Sequence, residues 1–406
     1  MELQLANGCS VTCLPQHDSS VVCLDFWCQA GSAMEQEGES GIAHFLEHMV
    51  FKGNERLPPG AFDLQIESLG GSSNAATGYD EVHYHLIIPA SGIAVACELL
   101  PQLVLEPGFE LKEFQMERLV VLEELSQSED QPEEVAFQAL MQLACGSHPY
   151  GRPILGLRSD LVSHQPDGMR NFQQRHYKAA NCSIAVGGCF DPEKLLSWLG
   201  AGPMGSLDPG FAVDTPDDLL LFWQPGEHLL RVPRLESARL LVAWPAPPAS
   251  DPQALMGIDL WASALAEGRS SRLVKHLREE LQLVESIDVE VHPLERGSLV
   301  ILEAVTDLEH LSKVRLELQK LLNEAQEGLG KLELERSKRM VANGYTFGLE
   351  AISQVTHHLG QASLQRRLCA LDQPLRWLEE WDLTRLQALS GRWDLQSACL
   401  LEVIPA

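Results

Sequence analysis

No window of this 406-residue chain approaches the roughly 18 apolar residues that a bilayer-spanning helix needs, so no membrane partner is expected. Basic residues are scarce: 30 Lys and Arg stand against 57 Asp and Glu, a net charge of −27. That balance argues against nucleic acid and anionic membranes. It suits a plain solubility charge, and it suits a chamber with acidic walls that attracts basic peptides. No cysteine pair has the two-residue spacing of a zinc knuckle or redox motif; the closest are Cys9/Cys13, Cys23/Cys28 and Cys182/Cys189. The cysteines are therefore expected to be reduced and buried as small hydrophobes. The start, "MELQLANGCSVTCLPQ", lacks the basic and apolar regions of a signal peptide, so a cytoplasmic location is the expectation.

Apolar residues make up 45% and charged residues 21%, a globular composition. The length suits two domains of about 200 residues. Alternating residues in 9–30 read as strand, 40–51 as helix, and "AFDLQIESLGG" as an amphipathic helix closed by glycines. "SSNAATGYDEVHYHLII" reads as two extended stretches around a turn. Helices are expected at about 91–104, 109–128, 132–145 and 168–177, before the apolar strand "NCSIAVGGCF". Gly, Pro and Asp collect in 201–217, the best linker. Beyond it the order recurs, with helices at about 252–265, 270–281, 307–325 and 331–365, strands within 284–303, and a closing strand "SACLLEVIPA". The pattern predicts an α+β fold of two related domains, 1–205 and 215–406.

"GIAHFLEHMVFKG" sets His44, Glu47 and His48 in an otherwise apolar stretch. On a helix, residues four apart share a face, so the two imidazoles can chelate one ion. Zinc accepts nitrogen and carboxylate ligands, and a catalytic zinc leaves a position for water. A carboxylate at Glu47 could take a proton from that water. The plainer alternative is two core histidines with an incidental glutamate. A third ligand would separate the two readings. "EFQMERLVVLEELSQSED" offers Glu117 and Glu124, seven apart and thus on one helix face. Val120 and Val121 lie close to that face, which is therefore expected to turn inward. Glu124 is the expected third ligand and Glu117 a supporting carboxylate.

These residues resemble the pitrilysin/insulinase family of zinc metallopeptidases, and within it the two-domain branch that includes mitochondrial processing peptidase. The similarity runs through "GSAMEQEGESGIAHFLEHMVFKG", "GGSSNAATGYDEVHYH", "ERLVVLEE" and "HPYGRPILG". Family members carry the third ligand about 76 residues after the second histidine, which here lands on Glu124. The resemblance implies that His44, His48 and Glu124 bind Zn2+, that Glu47 is the general base and that Glu117 supports the site. It also implies that Asn74, Ala75 and Ala76 form a strand edge that pairs with peptide substrate. His83 and His85 alternate on a strand and could also chelate, but no carboxylate is evident near them and the family does not use them. Where the family usually has threonine, Val82 stands.

The second half departs further. The family carries an arginine there and, seven residues on, a tyrosine, both facing the zinc site. Arg278 stands at the arginine position, but Glu285 replaces the tyrosine. Tyr345 is discounted because it lies in a later helix. In the two-domain branch, two chains close into a clamshell of four domains. The resemblance thus implies a zinc endopeptidase for unfolded peptides or presequence-like segments. This chain would be the zinc-bearing member of a heterodimer whose other chain supplies the Arg–Tyr pair, with a homodimer as the alternative assembly. The alternative is a non-proteolytic structural or peptide-binding subunit of the same fold.

Overall fold

Val82, Tyr84, Leu86 and Ile88 are buried and alternate with half-buried His83, His85 and Ile87. That period of two makes a strand with one face in the core. A computed structural model describes residues 1–211, 221, 223–390 and 393–406, so residues 212–217 of the expected linker lie outside the described residues. Strands β1 (Glu2–Gln4), β2 (Ser10–Pro15), β3 (Val21–Cys28), β4 (Ser72–Thr77), β5 (Val82–Pro89) and β6 (Cys182–Gly188) form one sheet in the order β1-β2-β6-β3-β5-β4. Strands β7 (Gly226–Val232), β8 (Ala238–Ala246), β9 (Ser286–His292), β10 (Ser298–Thr306) and β11 (Cys399–Pro405) form the other, in the order β7-β11-β8-β10-β9. The parallel pairs are β2/β6 and β7/β11, and all other neighbours are antiparallel. Strand for strand, β2–β6 and β7–β11 share one topology. The fold is thus a mixed α and β architecture with two mostly antiparallel sheets.

The helices α1 (Ile42–Val50), α2 (Ala61–Ser68), α3 (Ile93–Leu105), α4 (Leu111–Glu129) and α5 (Pro132–Cys145) follow in chain order. Two compact units result: Met1–Gln127 with Arg152–Pro216 and Phe347–Cys369, and Ser128–Gly151 with Asp217–Thr346 and Ala370–Ala406. Neither is a continuous stretch of sequence. Helix α5 packs on β7, β8 and β11, whereas the helix Ile352–Leu364 packs on β2, β3 and β6. The single helix expected over 331–365 is in fact two, Lys331–Gly348 and Ile352–Leu364. Ala351 between them is extended (ψ 126°); the first of the two belongs to the second unit as far as Thr346, and the other lies wholly in the first unit. The stretch 274–280 is a π-helical turn inside the helix expected at 270–281.

In the first unit, Leu24, Phe26, Tyr84 and Leu86 meet Phe45, Leu46 and Phe114 in one core. On the opposite face, Trp27 lies under the helix Ile352–Leu364. A Cβ on Gly360 would sit 2.1 Å from the Trp27 Nε1, so only glycine permits this approach. In the second unit Trp244, Trp261 and Trp393 anchor the core. All ten cysteines are free, and all but Cys189 and Cys369 are buried. No helix among the described residues is long and apolar enough to cross a membrane.

Candidate metal centre

Helix α1 starts at a left-handed Gly41 (φ 83°). The buried Glu35 carboxylate accepts the N–H of Gly41 at 3.1 Å and of Ala43 at 3.0 Å. It thereby satisfies donors that a helix start leaves free. Phe45, Leu46, Met49 and Val50 commit most of the helix to the core. His44, Glu47 and His48 share the remaining side.

Glu124 reaches both histidines from α4. Its Oε2 lies 3.3 Å from His48 Nε2 and 3.6 Å from His44 Nε2. The ligand atoms of the three residues all lie within 4.8 Å of one another. Glu117 Oε1 is 2.9 Å from His48 Nδ1, and its Oε2 is 2.6 Å from Lys52 Nζ. With the proton on Nδ1, the Nε2 lone pair of His48 points into the cluster. Thr77 donates to Glu47 Oε2 at 2.5 Å.

Charge in the cluster is unevenly held. Burial, helped by His48, pushes His44 down to about 4, so it is neutral near pH 7. Burial also opposes charge on His48, yet Glu117 and Glu124 outweigh it and raise the group to about 9. The His48 hydrogen bond holds Glu124 below the usual carboxylate range. Burial raises Glu117, but His48 and Lys52 together bring it below its ordinary value. Burial pushes Glu47 up, against the hydrogen bond from Thr77. Two carboxylates thus demand positive charge at one imidazole. A divalent ion could supply that charge in place of the proton. The donor set, two imidazole nitrogens and one carboxylate, fits zinc.

Helix α4 is turned slightly from the expectation. Glu117 and Val121 are buried and Glu124 is half-buried, but Val120 is 49% exposed and faces outward. Asn74, Ala75 and Ala76 lie on β4, which ends the sheet order. Its outer edge has no strand partner among the described residues. Arg278 lies exposed in the second unit, in the π-helical turn. Glu285, also exposed, accepts a hydrogen bond from Ser237 at 2.7 Å. Tyr345 donates to the Leu371 carbonyl at 2.8 Å.

Sequence reasoning missed Glu35, Lys52 and Thr77. Lys52 was accessible, being one helical turn beyond His48, and Thr77 closes the "NAAT" run already singled out. Glu35 gave no local signal. The absence of a carboxylate near His83 and His85 is also corrected: Asp25 on β3 lies 3.0 Å from His83. That contact is made across strands far apart in sequence.

Residues 12–158 match the family model described as insulinase (peptidase family M16), and residues 165–341 match the one described as the peptidase M16 inactive domain. An uncharacterized zinc protease of Rickettsia bellii is 24% identical over 88% of this chain and 86% of its own length. A probable mitochondrial-processing peptidase subunit beta of Arabidopsis thaliana is 32% identical over 192 residues, 47% of this chain and 36% of that one. The crystal structure of a protease from Helicobacter pylori superposes with a TM-score of 0.89 at 22% identity, covering 100% of this chain and 99% of that one. The two matches together cover most of the chain, which belongs to the M16 (insulinase) peptidase family.

Proposed function

We propose that this chain is a zinc metalloendopeptidase that cuts unfolded peptides or presequence-like segments. The observation that carries this reading is the convergence of His44, His48 and Glu124, with Glu47 beside them on α1. Those three residues would hold the ion. The chemistry zinc supplies in such a site is Lewis acidity, toward water and toward a peptide carbonyl. Glu47 handles the proton. Thr77 holds its Oε2, leaving Oε1 to take a proton from the attacking water and pass it to the leaving nitrogen. Burial raises the proton affinity of this carboxylate, which suits a group that must both take and give. Glu117 keeps the His48 ring oriented, and Lys52 keeps Glu117 charged. The free edge at Asn74, Ala75 and Ala76 would bind an extended peptide through main-chain hydrogen bonds. Thr77 ends that strand, so the bound backbone would run to Glu47.

In this reading residues 1–205 form the zinc-bearing domain and 215–406 the second domain, and the chain acts in the cytoplasm. It would be the zinc-bearing half of a closed, two-chain chamber. The partner would be a related chain with an Arg–Tyr pair, with a homodimer as the simpler alternative. Support comes from relatives named as a subunit beta. Support also comes from Glu285, because an ionised glutamate cannot donate a hydrogen bond to an oxyanion as tyrosine can. That same residue favours the second reading, a subunit that binds peptides without cutting them. Arg278 would remain as the one cation of the pair.

Peptide cleavage by the purified chain, alone and with such a partner, separates these readings. The isolated chain should be slow, since losing one oxyanion donor costs about 10²–10³ in rate. Adding the partner, or making Glu285→Tyr, should raise the rate. Rapid cleavage by the chain alone, unchanged by Glu285→Tyr, would make the homodimer sufficient. No cleavage under any of these conditions would favour the binding subunit.

A further inference from the structure

The face of the first sheet turned away from α1 holds another set of metal-binding side chains. Asp25 on β3 is only 1% exposed. Across the β3/β5 ladder it stands opposite His85, and Trp27 stands opposite His83. His83 Nδ1 lies 3.0 Å from Asp25 Oδ1, and His357 Nδ1, from the helix Ile352–Leu364, lies 3.5 Å from Asp25 Oδ2. The ligand atoms of Asp25, His83 and His357 all lie within 4.8 Å of one another. Trp27 stacks on the His83 ring at 4.4 Å and meets the His357 ring edge-on at 4.8 Å. His85 stacks on His83 at 5.5 Å, and its Nδ1 is buried without a hydrogen-bond partner among the described residues.

A carboxylate this deeply buried needs compensating charge. One histidinium would provide it. Here two imidazoles from different elements converge on it and a third stands opposite, more nitrogen than a single charge pair uses. His83 Nδ1 hydrogen-bonds one Asp25 oxygen at 3.0 Å and His357 Nδ1 lies 3.5 Å from the other, so both nitrogens close on one carboxylate, and ligand atoms all within 4.8 Å of one another fit around a single ion. His357, with its side chain 45% exposed, leaves one side open for a water ligand. We propose that Asp25, His83 and His357 form a second divalent-cation site of zinc type, which pins the helix Ile352–Leu364 to the first sheet. It shares no ligand with the candidate centre on α1 and lies on the opposite face of the sheet. Its role would be structural, joining β3 and β5 to a helix more than 250 residues further along the chain.

Cobalt titration of the chelator-stripped full chain tests this. Bound Co2+ shows visible bands that report coordination by protein donors. The wild type should take up two equivalents per chain, His357→Gln one, and the double variant His44→Ala/His48→Ala also one. Adding His357→Gln to that double variant should remove the last. His357→Gln is half-exposed, so its metal-free unfolding temperature should match the wild type, while its cobalt-induced rise should shrink. Asp25→Asn should repeat the loss of one equivalent. The proposal is overturned if the double variant binds no cobalt, or if its remaining equivalent survives His357→Gln. Because the second site is read in a background lacking His44 and His48, failure of the first centre would not hide the result.

Discussion

Replacing Glu117 by alanine should weaken zinc binding although Glu117 is not a proposed ligand. Its carboxylate accepts from His48 Nδ1 at 2.9 Å and pairs with Lys52 at 2.6 Å. Without it the His48 Nδ1 loses its acceptor and the ring loses what fixes its proton and its orientation. Lys52 also loses its counter-charge and becomes a cation near an ion it would repel. Outer partners of metal-bound histidines are worth about 10–100-fold in affinity, or about 1.4–2.7 kcal/mol. The alanine variant should fall in the upper part of that range, since both effects act together. Glu117→Gln keeps an acceptor for His48 but removes the charge, and should cost about tenfold. The assay is competition for zinc against a chromophoric chelator, with metal-free unfolding measured in parallel to separate affinity from folding. An unchanged zinc Kd in a correctly folded Glu117→Ala would refute the reasoning.

Glu47→Gln keeps size and removes the base, so zinc content should hold while kcat falls by roughly 10²–10⁴; equal turnover would remove Glu47 from the chemistry. Burial, with Glu267 adding, pushes Asp259 up to about 6 from an ordinary 3.8. Its folded pKa is raised, so its favourable contribution is complete below about pH 3.8 and is lost as pH rises through 6. Denaturation of Asp259→Asn at a series of pH values should therefore show a smaller fall in stability across that window than the wild type; identical slopes would contradict the burial argument.

Much of the candidate centre was legible because it is written in helical spacing. His44 and His48 are one turn apart, and Glu117 and Glu124 are two turns apart, so each pair shares a face whatever the tertiary fold. The duplicated topology was legible for a similar reason, since strand and helix patterns recur in order. What remained hidden depends on packing between distant segments. Helix α5 follows α4 directly yet joins the second unit, and the helix Ile352–Leu364 returns to the first. The break at Ala351 carries no proline to mark it. Val120 showed the limit of a wheel argument, because a narrow inward face buried Val121 and left its neighbour outside. Asp25 escaped notice because only the strand register brings it beside His83.

The central claim is that peptide hydrolysis depends on an ion held by His44, His48 and Glu124. The most direct test is cleavage of an unfolded peptide mixture, followed by mass spectrometry, before chelation, after chelation and after zinc is returned, in wild type and Glu124→Ala. The account predicts that chelation abolishes cleavage by the wild type, that zinc restores it, and that Glu124→Ala stays inactive throughout. Cleavage that survives complete removal of metal, or a fully active Glu124→Ala, would contradict it.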